Sequence, residues 1–382
     1  MAKIKIIPYG HQWLDDNDIK EVIKVLKGDW LTQGPKIEEF EKAVAKYCGA
    51  KYGVAVSSGT AALHAAYSVA GISSGDEIIT TPMTFAATAN AAVFCGARPV
   101  FVDIRSDTLN INSELIEGLI TSKTKAIVPV DFAGHPCDYE EIFKIARKHN
   151  LLVIEDACHA LGAKYKGKKV GSFSDMTILS FHPVKHITTG EGGMVLTDNK
   201  NFYEKLKIFR HHGIIKIPEK GKWYYEIENP GYNYRITDFQ CAIGISQLKK
   251  LDKFIEKRKK IAERYNKAFK NIEKIIIPTE KIYAKSAWHI YPIQIRGAGR
   301  KEVFEKLFKL AVGAQVHYVP LHIQPFYQKR FGYKKGDFPI AEKYYEGAIT
   351  LPLFPKMTDK EVQYVIDSVK KILIINNAQK MI

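Results

Sequence analysis

Residues 151–162 read L-L-V-I-E-D-A-C-H-A-L-G, an apolar, β-branched run that passes without a break into two carboxylates. Leu151 to Glu155 is predicted as a strand, and the amphipathic stretch near 138–149 ahead of it as a helix. The same alternation recurs upstream. Gly53 to Val56, Glu77 to Thr81, Pro99 to Ile104 and Ala126 to Val130 read as strands, separated by helical stretches near 60–70, 86–95 and 113–121. Alternation at this spacing predicts an α/β fold, a mainly parallel sheet with helices on both faces. Nearer the start, Ile19, Val22, Ile23 and Leu26 fall on one helical face, with Asp15 or Asp18 as N-cap.

Downstream the pattern changes. Met176 to Phe181 and Gly193 to Thr197 are strand-like but separated only by a loop, too short for a crossover helix, so this pair is expected to be antiparallel or irregular. A charged helical stretch without proline runs from Thr237 to Phe269, and the domain boundary is placed inside it. This divides the chain into a large domain, 1–250, and a smaller C-terminal α/β domain, 251–382, built from Ala287 to Ile295, a helix Lys301 to Leu310, Gln315 to Val319 and a helix Thr358 to Ile374. A chain of 382 residues is long enough for two cores. The tail Ile375 to Ile382 is expected to fray.

Composition narrows the function classes. Hydrophobic residues at 46% and charged residues at 26% exclude a disordered chain. No stretch approaches the roughly 20 apolar residues of a membrane span. The start has no apolar signal core before Pro8 and His11, which points to a cytoplasmic protein without a membrane partner. The 5 cysteines form no C-x-x-C pair, so neither a disulfide framework nor a metal site is expected. A net charge of +16 attracts polyanions, but with no arginine-rich arm or RNA-binding aromatic signature a nucleic-acid partner is not expected.

Ligands of parallel sheets bind outside the carboxyl ends of strands, which directs attention to four places. In V-S-S-G-T-A-A-L-H (56–64) a strand gives way to small hydroxylated residues and a helix start, a seat for phosphate or a plain N-cap by Ser58 or Thr60. In T-T-P-M-T-F-A-A-T-A-N (80–90), Phe85 is either a core residue or a ring lying against a planar ligand. Asp156, ending the 154–156 run, needs a cationic partner, either a structural arginine or a protonated ligand. In L-S-F-H-P-V-K-H-I-T-T-G-E-G-G (179–193), Lys185 sits just beyond a strand between Pro183 and a glycine-rich turn, where partial burial lowers the amine's pKa as a Schiff-base nucleophile requires. An anion seat, a stacking ring, a carboxylate for a pyridinium nitrogen and a Schiff-base lysine together make the set that holds pyridoxal 5′-phosphate (PLP).

These motifs, with L-T-Q-G-P-K-I-E-E-F-E (31–41) and G-Y-N-Y-R-I-T-D-F-Q (231–240), resemble the DegT/DnrJ/EryC1/StrS family of fold-type I, PLP-dependent aminotransferases acting on nucleotide keto-sugars. Within it, T-T-P-M-T-F-A-A-T-A-N, F-H-P-V-K-H-I-T-T and A-Q-V-H-Y-V-P-L-H (314–322) resemble the transaminases of pseudaminic acid biosynthesis, which aminate C4 of a UDP-linked 6-deoxy-N-acetyl-hexosulose. The resemblance implies that Lys185 forms the Schiff base and Asp156 keeps the pyridine nitrogen protonated. It implies that Phe85 stacks on the ring, that His159 lies near its face or phenolic edge, and that Thr60, the Ala61 backbone and Ser180 hold the phosphate together with Asn233 of a second subunit. A homodimer with shared sites follows, and Thr32, His317 and Tyr318 match substrate-side positions. L-glutamate is the implied amino donor.

Other readings are an aminotransferase for a different nucleotide sugar, of the GDP-perosamine or 4-amino-arabinose type, a cysteine desulfurase using Cys158, and a regulator that has kept the fold as a sensor. Arg210, His211 and His212 are candidates for a diphosphate or for a solvated loop.

Overall fold

The short β-branched runs pair as the alternation predicts. In the computed structural model, which describes residues 6–297 and 299–374, β1 (Tyr52–Val56), β2 (Glu77–Thr80), β3 (Arg98–Phe101), β4 (Thr124–Ile127), β5 (Leu152–Asp156), β6 (Met176–Ser180) and β7 (Gly193–Thr197) form one sheet in the order β1-β7-β6-β5-β4-β2-β3. The neighbours from β3 to β6 are parallel. β7 runs against both β6 and β1, with Leu179 opposite Met194 and Ala55 opposite Met194 on its other side, as the loop-only connection requires. Because β7 alone is reversed, β1 points the same way as β5 and β6. The carboxyl ends of these three strands therefore open on one edge of the sheet.

Helices α1 (Asp16–Leu26), α2 (Pro35–Cys48), α3 (Gly59–Val69), α4 (Ala86–Phe94), α5 (Tyr139–His149), α6 (Lys200–Arg210), α7 (Asp238–Leu248) and α8 (Leu251–Phe269) accompany the sheet. Of the two cap candidates for α1, Asp15 is the N-cap and Asp18 returns the bond from the third helical position, completing a capping box. Helix α3 is apolar and small-sided, and Ala62, Ala65, Ala66 and Tyr67 are buried in one core with Val54, Ile154 and Ile178 of the sheet. Small side chains let the helix lie close to the strands, so its first turn is held firmly at the sheet's edge.

Three expectations are corrected. The stretch 113–121 is two 3-10 turns, Ser113–Leu115 and Glu117–Leu119. A segment of that length holding Gly118 cannot repay the nucleation of an α-helix, and the Asn112 side chain closes the first turn instead, 3.2 Å from the Glu114 N–H. The stretch 237–269 is two helices that break at Lys249–Lys250, where Lys250 is ion-paired to Asp15 and Asp18 at 3.0 and 2.6 Å. The break turns the chain so that Leu251 and Phe254, at the start of α8, enter the core that holds Cys241 and Ile245 of α7, while Ile261, Tyr265 and Phe269 further along α8 enter another. Residues 315–319 form no strand beyond a single bridge from Gln315 to Thr350, because Tyr318 turns its N–H to Met83 Sδ at 3.4 Å and Leu321 bonds the Pro82 carbonyl at 2.9 Å.

Beyond α8, the strands β8 (Ile275–Ile276), β9 (Tyr291–Ile295) and β10 (Ala348–Leu351) make a small antiparallel sheet. It is packed with the helices Arg300–Lys309 and Asp359–Ile374 around Ile293, Leu307, Ile349 and Val365. The tail Ile375 to Ile382 lies outside the described residues. Among the described residues no helix is long and apolar enough to cross a membrane.

Candidate active site

Past the end of β1, Ser58 caps α3, its hydroxyl accepting the Ala61 N–H at 3.1 Å. The first N–H groups of a helix have no intrahelical partner and favour an anion. The hydroxyls of Thr60 and Ser180, the latter ending β6, line the same cavity. The seat is closed tightly: a Cβ on Gly59 would stand 3.1 Å from Ser180 Cβ, and one on Gly193 would stand 2.3 Å from the Ser58 carbonyl oxygen.

Asp156, at the end of β5, is buried, with Thr88 Oγ1 donating to one carboxylate oxygen at 2.7 Å and the Cys158 N–H to the other at 3.2 Å. Among the described residues no arginine pairs with it, and the carboxylate borders the cavity. Lys185 lies half-buried on the loop between β6 and β7. Burial pushes its amine below the ordinary lysine range, against an upward pull from Cys158 and Asp156. Its Nζ is 3.5 Å from Nε2 of His289.

Thr60, Phe85, Asp156, His159, Ser180, Lys185, His317 and Tyr318 thus line one cavity of about 710 Å³, and Ala61 adjoins it through its capped N–H. Phe85 is 60% exposed, so it is not a core residue, and its ring stands 6.1 Å from that of Tyr318. His159 Nε2 lies 3.2 Å from the Tyr318 hydroxyl, while its buried Nδ1 has no partner among the described residues. Burial, then Lys185, His317 and His186, hold His159 neutral far below the usual histidine range. Burial also lifts the Cys158 thiol well above its ordinary value, which disfavours a nucleophilic thiolate.

The structure does not bring Thr32 or Asn233 to this cavity. Both are exposed, bridged to Thr237 and His211 respectively. Their neighbours Gln33 and Arg235 border a second depression of about 610 Å³. Arg210 is not free for a diphosphate: its guanidinium is ion-paired to Glu41 and donates to the Ala55 carbonyl at 2.7 Å. Sequence reasoning missed Thr88 and His289. Thr88 was within the quoted 80–90 motif, but its hydroxyl's direction depends on how α4 packs, and His289 lies in the apolar-looking run A-W-H-I-Y.

The profile of the DegT/DnrJ/EryC1/StrS aminotransferase family matches residues 12–370. The chain belongs to this family. It is 43% identical to the spore coat polysaccharide biosynthesis protein SpsC of Bacillus subtilis, over 96% of this chain and 97% of that one. It is 42% identical to the UDP-4-amino-4,6-dideoxy-N-acetyl-beta-L-altrosamine transaminase of Campylobacter jejuni (strain 81-176), over 96% and 98%. Among solved structures, Helicobacter pylori PseC, an aminotransferase involved in the biosynthesis of pseudoaminic acid, superposes with a TM-score of 0.92 at 37% identity, covering 97% of this chain and 99% of that one. The chain is a PLP-dependent sugar aminotransferase with the fold of these enzymes. Its residues fit the cofactor: a helix start flanked by hydroxyls for the phosphate, a buried carboxylate, an amine of lowered basicity and an orphaned imidazole nitrogen share one cavity.

Proposed function

We propose that this aminotransferase moves the amino group of L-glutamate to the 4-keto group of a UDP-linked 6-deoxy-N-acetyl-hexosulose, the reaction of the pseudaminic acid pathway. The observation that carries the proposal is the convergence of Lys185, Asp156 and the α3 anion seat on one cavity whose other walls carry Phe85, His317 and Tyr318. The likeness to the Campylobacter and Helicobacter enzymes supports the choice of sugar.

When bound, PLP supplies an electron sink for the negative charge that develops at the substrate carbon. Asp156 would accept a hydrogen bond from its ring nitrogen, using the carboxylate capacity that Thr88 and the Cys158 N–H leave open. The Thr60 and Ser180 hydroxyls and the N-terminus of α3 would hold the phosphate. Lys185 Nζ, as a free amine, takes a proton from the substrate carbon and later returns one as general base and acid. Burial lowers its basicity, which eases formation of the free amine. Phe85 would cover the ring, and His317 and Tyr318 would face the sugar. The exposed Asn233 is proposed to reach the phosphate of a second copy, making the working enzyme a homodimer with shared sites.

One alternative is an aminotransferase for another nucleotide keto-sugar, of the GDP-perosamine or 4-amino-arabinose type; the similarity to SpsC, a spore coat polysaccharide biosynthesis protein, supports a sugar-pathway role without naming the sugar. The test is the visible spectrum of the PLP-loaded protein before and after L-glutamate, then addition of UDP-linked or GDP-linked 4-keto-6-deoxy sugars with mass spectrometry of the product. Bleaching by glutamate and amination of the UDP-N-acetyl sugar alone is the expected result. Amination of only the GDP sugar overturns the proposed substrate.

A further inference from the structure

His289 belongs to none of the motifs above, yet it is the side chain hydrogen-bonded to the Lys185 amine. Its imidazole is 4% exposed, and its Nε2 stands 3.5 Å from Lys185 Nζ. The ring is held from several sides. Its centroid is 4.3 Å from that of His159 and 5.4 Å from that of His186. The backbone N–H of His289 donates to the Ala133 carbonyl at 2.9 Å, and its carbonyl accepts from Nη1 of the buried Arg258 at 3.0 Å. Arg258 Nη2 reaches the Lys185 carbonyl at 3.5 Å, so one guanidinium ties together the backbones of the two residues whose side chains meet.

From this geometry we propose that His289 is a positioning residue for Lys185, a neutral acceptor that holds the free amine toward the reacting carbon and supports its protonated form. The inference rests on the reading of Lys185 as the Schiff-base lysine and general base.

The surrounding charges favour an acceptor over a competing base. Burial, then Lys185, His159, His186 and Arg258, hold His289 neutral far below the usual histidine range. An imidazole of such low basicity does not compete with the lysine for its proton, but Nε2 can accept a hydrogen bond from it when the proton sits on Nδ1, which is buried without a partner among the described residues. A charge-assisted bond of this kind favours the ammonium form. The other titratable groups lining the amine's surroundings are Tyr9 ahead of α1, Asp156 at the end of β5 with Cys158 and His159 just beyond it, His182, His186 and Glu191 on its own loop, Arg258 on α8, and His317 and Tyr318 on the loop after the helix Arg300–Lys309. All of them remain in a His289 variant, so a change there reports on the Lys185–His289 bond.

The test strips PLP from the full-length protein, restores it, and follows growth of the Schiff-base absorbance across pH. The rate reports the fraction of unprotonated amine, and its midpoint reports the amine's ionisation in the site. His289→Phe, which keeps a ring but loses the acceptor, is expected to move the midpoint down by about one pH unit. His289→Gln, which keeps an acceptor oxygen, is expected to restore most of that shift. If the Phe variant does not yield folded protein by circular dichroism, His289→Ala is measured in the same way. An unchanged midpoint in the acceptor-free variant overturns the inference and leaves His289 a packing residue. Borohydride reduction and peptide mapping separate the two levels: cofactor fixed at a lysine other than Lys185 sinks the reading beneath, whatever His289 does.

Discussion

The hydroxyl of Thr88, on α4, donates to a carboxylate oxygen of Asp156, at the end of β5, at 2.7 Å, and lies 2.8 Å from the hydroxyl of Thr84. The donor fixes one oxygen of a buried carboxylate, the Cys158 N–H holds the other, and the remaining acceptor capacity is left for a ligand. Thr88→Val keeps the shape and removes the donor. It is expected to cost about 1–2 kcal/mol in denaturant unfolding and to weaken PLP retention, read as cofactor lost on dialysis.

Lys185→Ala removes the only side chain assigned both the covalent and the proton-moving roles. Turnover is expected to fall by at least on the order of 10⁴-fold, with no cofactor fixed by borohydride and an unchanged circular dichroism spectrum. Near-normal turnover refutes the assignment.

Asp156→Asn keeps the shape but loses the charge. The variant is expected to bind PLP yet slow the glutamate half-reaction by about 10²-fold or more, measured as the rate of bleaching in stopped flow.

Arg258 is 1% exposed, and besides the His289 carbonyl it bonds the Leu353 carbonyl at 3.0 Å; burial lowers its pKa to about 9. Arg258→Met strands those acceptors and is expected to lose about 3 kcal/mol, seen as a lower midpoint in guanidinium unfolding.

Acid should destabilise the fold through the buried imidazoles. Burial holds His159, His186 and His289 far below the usual range and brings His317 to about 3. Their folded pKa values lie below the unfolded value near 6.5, so the unfolded chain binds more protons on acidification. The stability they permit is complete above pH about 6.5 and is lost as pH falls toward the folded values, each costing on the order of 1 kcal/mol at pH about 5.5. Unfolding curves at several pH values check this. A stability that stays flat from pH about 7.5 to 5 contradicts the buried neutral state.

The alternation of strands and helices, the reversal at Met176 to Thr197 and the four strand-end motifs were legible because each depends on periodicity or spacing within a few residues. Thr60, Phe85, Asp156 and Lys185 were singled out that way and Ser180 through the family resemblance, and the sheet brings all five to one cavity because the strands carrying or preceding them point in the same direction. The breaks in 113–121 and 237–269 were not legible. Propensity favours a continuous helix in the second, and only the shared core that Cys241 and Ile245 of α7 and Leu251 and Phe254 of α8 must enter from different faces decides against it.

Tertiary structure alone placed Thr88 against Asp156, occupied Arg210 with Glu41, and brought His289 to Lys185 across 104 residues of sequence. No local pattern encodes such a meeting. Which polar side chain reaches which partner is settled by the packing of whole elements, and a displacement of an ångström or two makes or breaks a hydrogen bond. The sequence by itself determined the layered fold, the strand ends and the chemical groups available there. The packed fold decided which of those groups touch, which are buried without charge, and which are spent on structure.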